Sequence, residues 1–398
     1  MKPTAPRVNL NWIVGKRIDL ACFIGGALAG YMVFIMHAGL GWDMLLIYLL
    51  FVTFLDTPHF FGTYLRTYLD KAEFKDRRRL LLGSLSWLAA GPLVLLVCYS
   101  LYAGGVANYM VPFEAFALAV GIWAYWHVVR QHYGFMRLYQ VKNGENTPAD
   151  RRGDGLLMHL GLMLPFVVFV LRHPESRQAF GLDPRMPAVP TLGTLGSTSW
   201  QYLVIGGCTL ALIYLIAAFI VRQAGKWRRG EPINGPKVLL FTAVLSLHIV
   251  VCYSASVLTA PLITFSAFVT IYHDIQYHVL VYCHQQNRYR DPAVARASGL
   301  APLLSRNILV FAATALAFGL VVRCMGCGVQ IFNGSQCFSP RIVGKVHLFG
   351  TVSSDTLLGA FFLGFPCHHY FVDQFIWKPS RDKGLRRDLK LDQGRAPA

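Results

Sequence analysis

Long apolar runs, each closed by a short polar break, follow one another along the chain and predict helices that cross a membrane. They cover Ile18 to Met36, Asp43 to Phe61, Leu80 to Tyr102, Phe113 to Tyr133 and Leu156 to Leu171. Further runs cover Tyr202 to Val221, Val238 to Val257, Leu262 to Cys283, Ile308 to Val322 and His347 to Phe365. Gly, Asn, Asp and Pro gather in the breaks, as between Lys142 and Asp154 and between Pro174 and Ser199, where loops are expected. The length and turn residues of the second suit an ordered lid or cap as readily as slack chain. The pattern predicts an all-α fold, a polytopic transmembrane helical bundle of about ten spans. Its expected organisation is a flank over 1–17, one transmembrane domain over 18–377 and a charged tail over 378–398.

Four of these runs carry, or end in, polar groups that lipid does not tolerate without a partner. LDTPHF holds Asp56 and His59, and YWHVVRQHYG holds His127 and His132. FVTIYHDIQYHVLVYCH holds His273, Asp274, Gln276, His278 and His284, and PCHHYFVD holds His368, His369 and Asp373.

Composition fits the same class. The chain is 55% hydrophobic and 14% charged over 398 residues, and its mean hydropathy is +0.44, values of an integral membrane protein. The formal net charge of +17 is explained by basic loops on the cytoplasmic side and requires no nucleic-acid partner. With ten alternating spans and both termini cytoplasmic, only Arg172, Arg177, Arg185, Arg323, Arg341 and Lys345 of the 37 Lys and Arg fall outside. The basic loops also suit anionic membrane lipids. Lys2, Arg7, Lys16 and Arg17 read as a flank of the first span, with no small-residue cleavage site before residue 20. The expected location is a cell membrane, the bacterial inner membrane, crossed many times.

That topology puts most of the histidines at one depth. Of the 13 His, only His37, His173, His248 and His347 fall elsewhere, and these are read as packed helix–helix donors. Imidazole suits iron, zinc and copper, and carboxylates add affinity for iron. The metal-ligand candidates are His59, His127, His132, His273, His278, His368 and His369, with Asp56 and Asp373; His159 and His284 are reserves. Asp56 and His59 are three apart and His369 and Asp373 four apart, so each pair faces one point on a helix. His127 and His132, like His273 and His278, are five apart, which turns them roughly 140° from each other on a regular helix. Both members meet one metal only if the helix bulges; otherwise they serve two metals, or one acts from behind the other. Iron is favoured, two ions accounting for so many ligands, with copper and zinc as alternatives. Arg130, Tyr133, Asp274, Gln276 and Tyr277 flank the clusters as candidate catalytic or supporting groups. Cys324 and Cys327, with Cys337 after them, lack the second strong pair of a zinc site and are read as a buried or outward-facing pair.

The pattern resembles the histidine-box integral-membrane oxygenases, the desaturases, hydroxylases and alkane monooxygenases. His127–His132 and His273–His278 fit their HxxxxH form, and His368–His369 gives a paired HH; no HxxHH occurs, and ten spans exceed the usual number there. A looser similarity is to the membrane carotene-cleaving dioxygenases linked to bacterial rhodopsins. The resemblance implies O₂ chemistry on a lipophilic small molecule, with an external electron donor. The competing classes are a metal-ion or proton-coupled transporter and a haem-binding electron-transfer protein.

Overall fold

In the computed structural model, residues 8–145, 147–182, 199–325, 347–348 and 352–391 are described. The apolar runs form helices, as lipid demands of a backbone that must satisfy its own hydrogen bonds. Seven helices among the described residues are long and apolar enough to cross a membrane: α1 (Lys16–Gly39), α2 (Met44–Arg66), α3 (Arg78–Ala103), α4 (Val111–Lys142), α5 (Pro148–Arg172), α6 (Trp200–Arg228) and α7 (Gly235–Tyr253). They correspond to the first seven expected runs. The eighth run forms α8 (Phe265–Arg288), 24 residues long, whose imidazole, carboxyl and amide groups dilute its apolar character. The ninth forms α9 (Ile308–Met325), of 18 residues.

The tenth run departs from expectation. His347–Leu348 and Val352–Ser353 pair as short antiparallel strands, followed by α10 (Ser354–Phe362) and α11 (Gly364–Ile376). At ~1.5 Å per residue neither helix covers a ~30 Å hydrocarbon core alone. The break at Leu363 lies where Gly364 and Pro366 weaken helix continuity. A short helix α12 (Lys383–Asp388) follows, capped by the Asp382 side chain on the Leu385 N–H at 2.8 Å. The segment 183–198 and the cysteine stretch, with Cys327, Cys337 and the side chain of Cys324, lie outside the described residues.

The described residues fall into two compact units. Unit 1 holds Met1–Ile47, Val128–Ile275 and Lys390–Ala398, and unit 2 holds Tyr48–His127 and Gln276–Leu389. The chain passes from one to the other inside α2, α4 and α8, and again between Leu389 and Lys390.

In unit 1, α5 packs on α6 and α7, and α7 on α1. Leu157, Met158, Leu162, Val244 and Leu247 are fully buried there. Leu203 at 76% and Val221 at 70% exposure lie outward on α6, an apolar surface suited to lipid and not to water. The Asp19 carboxylate accepts from the backbone N–H groups of Ile13, Val14 and Gly15 and from the Tyr139 hydroxyl, at 2.6–3.1 Å, and so fixes the entry to α1. Val8 and Asn9 pair in parallel with Ile233 and Asn234.

Three acids and three bases close the other polar part of this unit. Lys237 contacts Glu145 at 2.6 Å and Asp154 at 2.7 Å; Lys226 contacts Glu145 at 2.5 Å and Asp150 at 2.7 Å; Arg222 pairs with Asp154. Lys237 and Asp154 are wholly buried. Glu145, Asp150 and Asp154 sit close enough to hold a cation, but these ammonium and guanidinium groups already neutralise them. The cluster is an ion-pair lock joining the ends of α5, α6 and α7.

In unit 2, α9 packs on α2, α10 and α11 on α3, and α11 on α2. Phe61, Leu65, Tyr277, Val281, Ala301, Phe311 and Ala315 form one apolar core, and Leu81, Val372 and Ile376 a second. Close approach depends on missing side chains. A Cβ on Gly364 would lie 2.6 Å from the Leu88 Cα, and one on Gly62 would lie 2.7 Å from the Tyr277 ring. Gly62 thereby lets α8 lie against α2 at the level of Tyr277.

Lys237→Met removes one of the two cationic partners from each of two buried carboxylates, leaving Glu145 with Lys226 and Asp154 with Arg222, and is expected to cost about 3 kcal/mol, read as a lowered Tm in detergent; an unchanged Tm refutes the lock. Burial alone would raise the Glu145 carboxyl, but the Lys237 charge and hydrogen bonds from Lys226 and Lys237 outweigh it and hold it below its ordinary 4.5. Its contribution is therefore complete above pH 4.5 and is lost as pH falls through the lowered folded value. Glu145→Gln is expected to flatten that part of the acid-side loss of Tm, measured from neutrality down to about pH 3.

Candidate metal centre

Unit 2 gathers polar groups from four helices around one buried point. His59 comes from α2, His127 from α4, Tyr277 from α8, and His369 and Asp373 from α11. None of them is more than 8% exposed. His369 and Asp373 share a helix face through their four-residue spacing, as do His59 and Thr63 on α2.

The approach to His59 is not a regular helix. Residues Val52–Asp56 form a π-turn inside α2, directly before Pro58. Proline has no N–H to give the preceding turn, and a widened turn accommodates that loss. His59 Nδ1 then hydrogen-bonds the Asp56 carbonyl oxygen.

These contacts set the tautomers. A carbonyl only accepts, so His59 carries its proton on Nδ1. Thr63 donates its hydroxyl to Asp373 Oδ1 at 2.7 Å, and Tyr277 donates to the same oxygen at 3.0 Å. The Thr63 oxygen lies 2.6 Å from His369 Nδ1, and with its own proton committed it accepts the Nδ1 proton of His369. In both rings the proton then sits on Nδ1 and Nε2 is the acceptor nitrogen, and the two Nε2 atoms lie 3.1 Å apart. Two acceptors at that distance repel unless a cation lies between or beside them. Two imidazoles bound to one ion at ~2.0–2.1 Å each, at near right angles, have this separation. His127 packs its ring on His369 with centroids 4.9 Å apart, and ligand atoms of His127, His369 and Asp373 lie within 4.8 Å of one another. This buried cluster of imidazoles and a carboxylate is able to chelate a metal ion, and its donors fit iron, zinc or copper.

Other expected residues of unit 2 lie in different contacts. His368, adjacent to His369 and so turned ~100° from it, stacks on Tyr64 at 5.2 Å and hydrogen-bonds the Tyr68 hydroxyl at 2.9 Å. His278 Nε2 lies 3.4 Å from the Leu55 carbonyl oxygen, with its ring edge-on to Phe311. His284 lies 3.7 Å from Asp388 and 5.6 Å from the Trp377 ring. Asp56 enters the site through its carbonyl, while its carboxyl lies in the field of Arg323. Gln276 is fully buried.

The remaining candidates belong to unit 1. His132 packs against His248 at 5.9 Å and Tyr272 at 5.0 Å between ring centroids. His248, read from sequence as a packed donor, is fully buried there. The His273 carbonyl accepts from Gln131 Nε2 at 2.8 Å, and its ring Nε2 lies 4.0 Å from the buried Asp274 carboxylate. Arg130 lies 3.1 Å from His159 Nε2 and over the Tyr133 ring at 5.0 Å. α4 and α8 are regular over the five-residue pairs, so each pair diverges, and His127 and His132 have different neighbours.

Thr63 is the residue the sequence reading passed over. Its signal was there: it lies one turn after His59 on the same helix face.

No family model matches this chain, and neither a curated protein nor a solved structure does. Fold and cluster together define an all-α protein with long apolar helices able to span a membrane and a buried histidine–carboxylate site able to hold a metal. That class is consistent with histidine-box proteins in general and singles out no one family among them.

Thr63→Val keeps the side-chain shape and removes the hydroxyl that orients His369 and Asp373. Divalent-metal affinity is expected to fall about 10–100-fold in a competition titration, whereas Thr63→Ser retains it; equal affinity in the Val variant removes Thr63 from the site.

Proposed function

We propose that this protein is a membrane-embedded, metal-dependent oxidoreductase of the oxygenase type, using iron to act on a lipid-like apolar substrate with O₂ and electrons from an external donor. The observation that carries the reading is the 3.1 Å approach of His59 Nε2 to His369 Nε2 inside a buried histidine–carboxylate cluster, with the Asp56 carbonyl and Thr63 on the two Nδ1 atoms. Bound iron would supply the one-electron chemistry that O₂ requires.

The chain's own part is to hold, orient and exclude water. His59, His127, His369 and Asp373 would be the ligands in unit 2. Thr63 keeps the His369 proton on Nδ1 and away from the metal-facing nitrogen. Tyr277 holds a proton on its hydroxyl beside Asp373 Oδ1, where it can be passed along the hydrogen bonds that join Tyr277, Asp373 and Thr63. Phe60 packs on His59 and His369 at 4.5 and 5.1 Å between ring centroids, a wall that suits an apolar substrate and keeps water from the imidazoles. A second iron, in keeping with the number of histidines, would draw on His132, His273 and Asp274.

The haem reading is disfavoured by geometry. Axial imidazoles across a porphyrin stand about 4 Å apart, twice a ~2.0 Å bond, and 3.1 Å leaves no room for the macrocycle between His59 and His369.

Elemental analysis of detergent-purified protein is expected to find iron at one or two ions per chain. His369→Ala should lose at least one of them, and His273→Ala a further one if two are bound. Copper or zinc in place of iron would overturn the choice of metal, and full metal content in His369→Ala would overturn the site.

A further inference from the structure

Unit 2 holds a second polar centre that the metal site does not use. Arg66, the last residue of α2, is only 1% exposed, and its guanidinium carbon lies 3.8 Å over the ring of Trp377. None of its three guanidinium nitrogens has a hydrogen-bond acceptor among the described residues. A buried guanidinium in that state is costly, since the π-face replaces only part of its lost hydration.

The surrounding carboxylates are already engaged. Glu73 pairs with Arg77 at 2.9 Å and with Arg288 at 3.3 Å, and Asp382 with Arg77 at 2.7 Å. Asp70 accepts from Arg288 and Tyr289, both at 2.9 Å, and Asp388 Oδ1 from Arg387 at 2.8 Å, while Asp388 Oδ2 lies 3.7 Å from both His284 and Arg288. His284, also 1% exposed, touches the same indole and turns one ring nitrogen toward Asp388; its Nδ1 has no partner among the described residues. The groups gathered around Trp377 thus include a forked donor with nothing to donate to.

We propose that Arg66, covered by Trp377 and flanked by His284, is the core of an oxyanion-binding site at the end of α2. A carboxylate or phosphate offers what is missing, two or more acceptor oxygens in the plane of the guanidinium fork. Trp377 is half-buried and is followed by Lys378, so the indole lies between the buried cation and the surface and acts as the door. The same oxyanion chemistry has two sources: a small soluble anion, or the phosphodiester of a lipid headgroup, which lies at the depth where a spanning helix ends. The proposal does not rest on the oxygenase reading.

The test is thermal unfolding of the full chain with inorganic phosphate or acetate, set against chloride at equal ionic strength, in phospholipid-free detergent. A parallel arm compares nanodiscs of phospholipid with bilayers of a phosphate-free glycolipid. Saturating ligand is expected to raise Tm by about 2–4 °C in at least one arm, and the responding arm identifies the source. Arg66→Met should abolish that difference. Should the Met variant fail to fold, Arg66→Lys, which keeps the charge and loses the fork, should need about tenfold more ligand. Trp377→Phe should keep the Tm shift and lose the change in tryptophan fluorescence that accompanies it. No shift in either arm, or an equal shift in an Arg66 variant, overturns the proposal.

Discussion

The structure depends on the cost of placing imidazole and carboxyl groups where water does not reach. Each such group must find a donor, an acceptor or an ion, and the fold is arranged so that Thr63 serves two of them and meets a buried tyrosine as well. One hydroxyl gives its proton to Asp373, takes one from His369 and lies 2.8 Å from the Tyr277 hydroxyl. α2, α8 and α11 are thereby held at one level. Gly62 makes the arrangement possible by leaving room for the Tyr277 ring. Orienting groups behind the imidazoles hold the proton on Nδ1, so that Nε2 is the unprotonated nitrogen a metal requires.

The same constraint is met differently in unit 1. There the buried acids Glu145, Asp150 and Asp154 are paired with Lys226, Lys237 and Arg222. Carboxylates surrounded by ammonium groups are spent on structure, whereas two imidazoles that approach Nε2 to Nε2 carry no such neutralising charge between them. Both clusters satisfy a simple distance criterion for metal binding, and the difference between them lies in the charge and proton positions of their neighbours.

Helix periodicity explains which histidines keep company. α4 and α8 stay regular across their five-residue pairs, so His127 packs on His369 while His132 packs on His248. A π-turn lies instead in α2, ahead of Pro58, where a missing backbone donor gives it a local cause. Adjacent His368 and His369 likewise part, one to the Tyr68 hydroxyl and the other to the imidazole of His59.

Much was legible in the sequence because lipid imposes a simple code. Apolar runs long enough to span gave the helices α1 to α7, and histidines at the ends of four runs marked where the chemistry would concentrate. The four-residue spacing of His369 and Asp373 already put them on one face. Hydrophobic pattern alone was blind to the division of the tenth run, where Gly364 and Pro366 interrupt an otherwise apolar stretch. It was equally blind to Thr63 and Arg66, whose importance comes from partners some three hundred residues away. Local spacing is a property of one helix and is written in the chain; the facing of His59 and His369, and the proton each keeps, arise only when separate helices pack and their side chains compete for the same few donors.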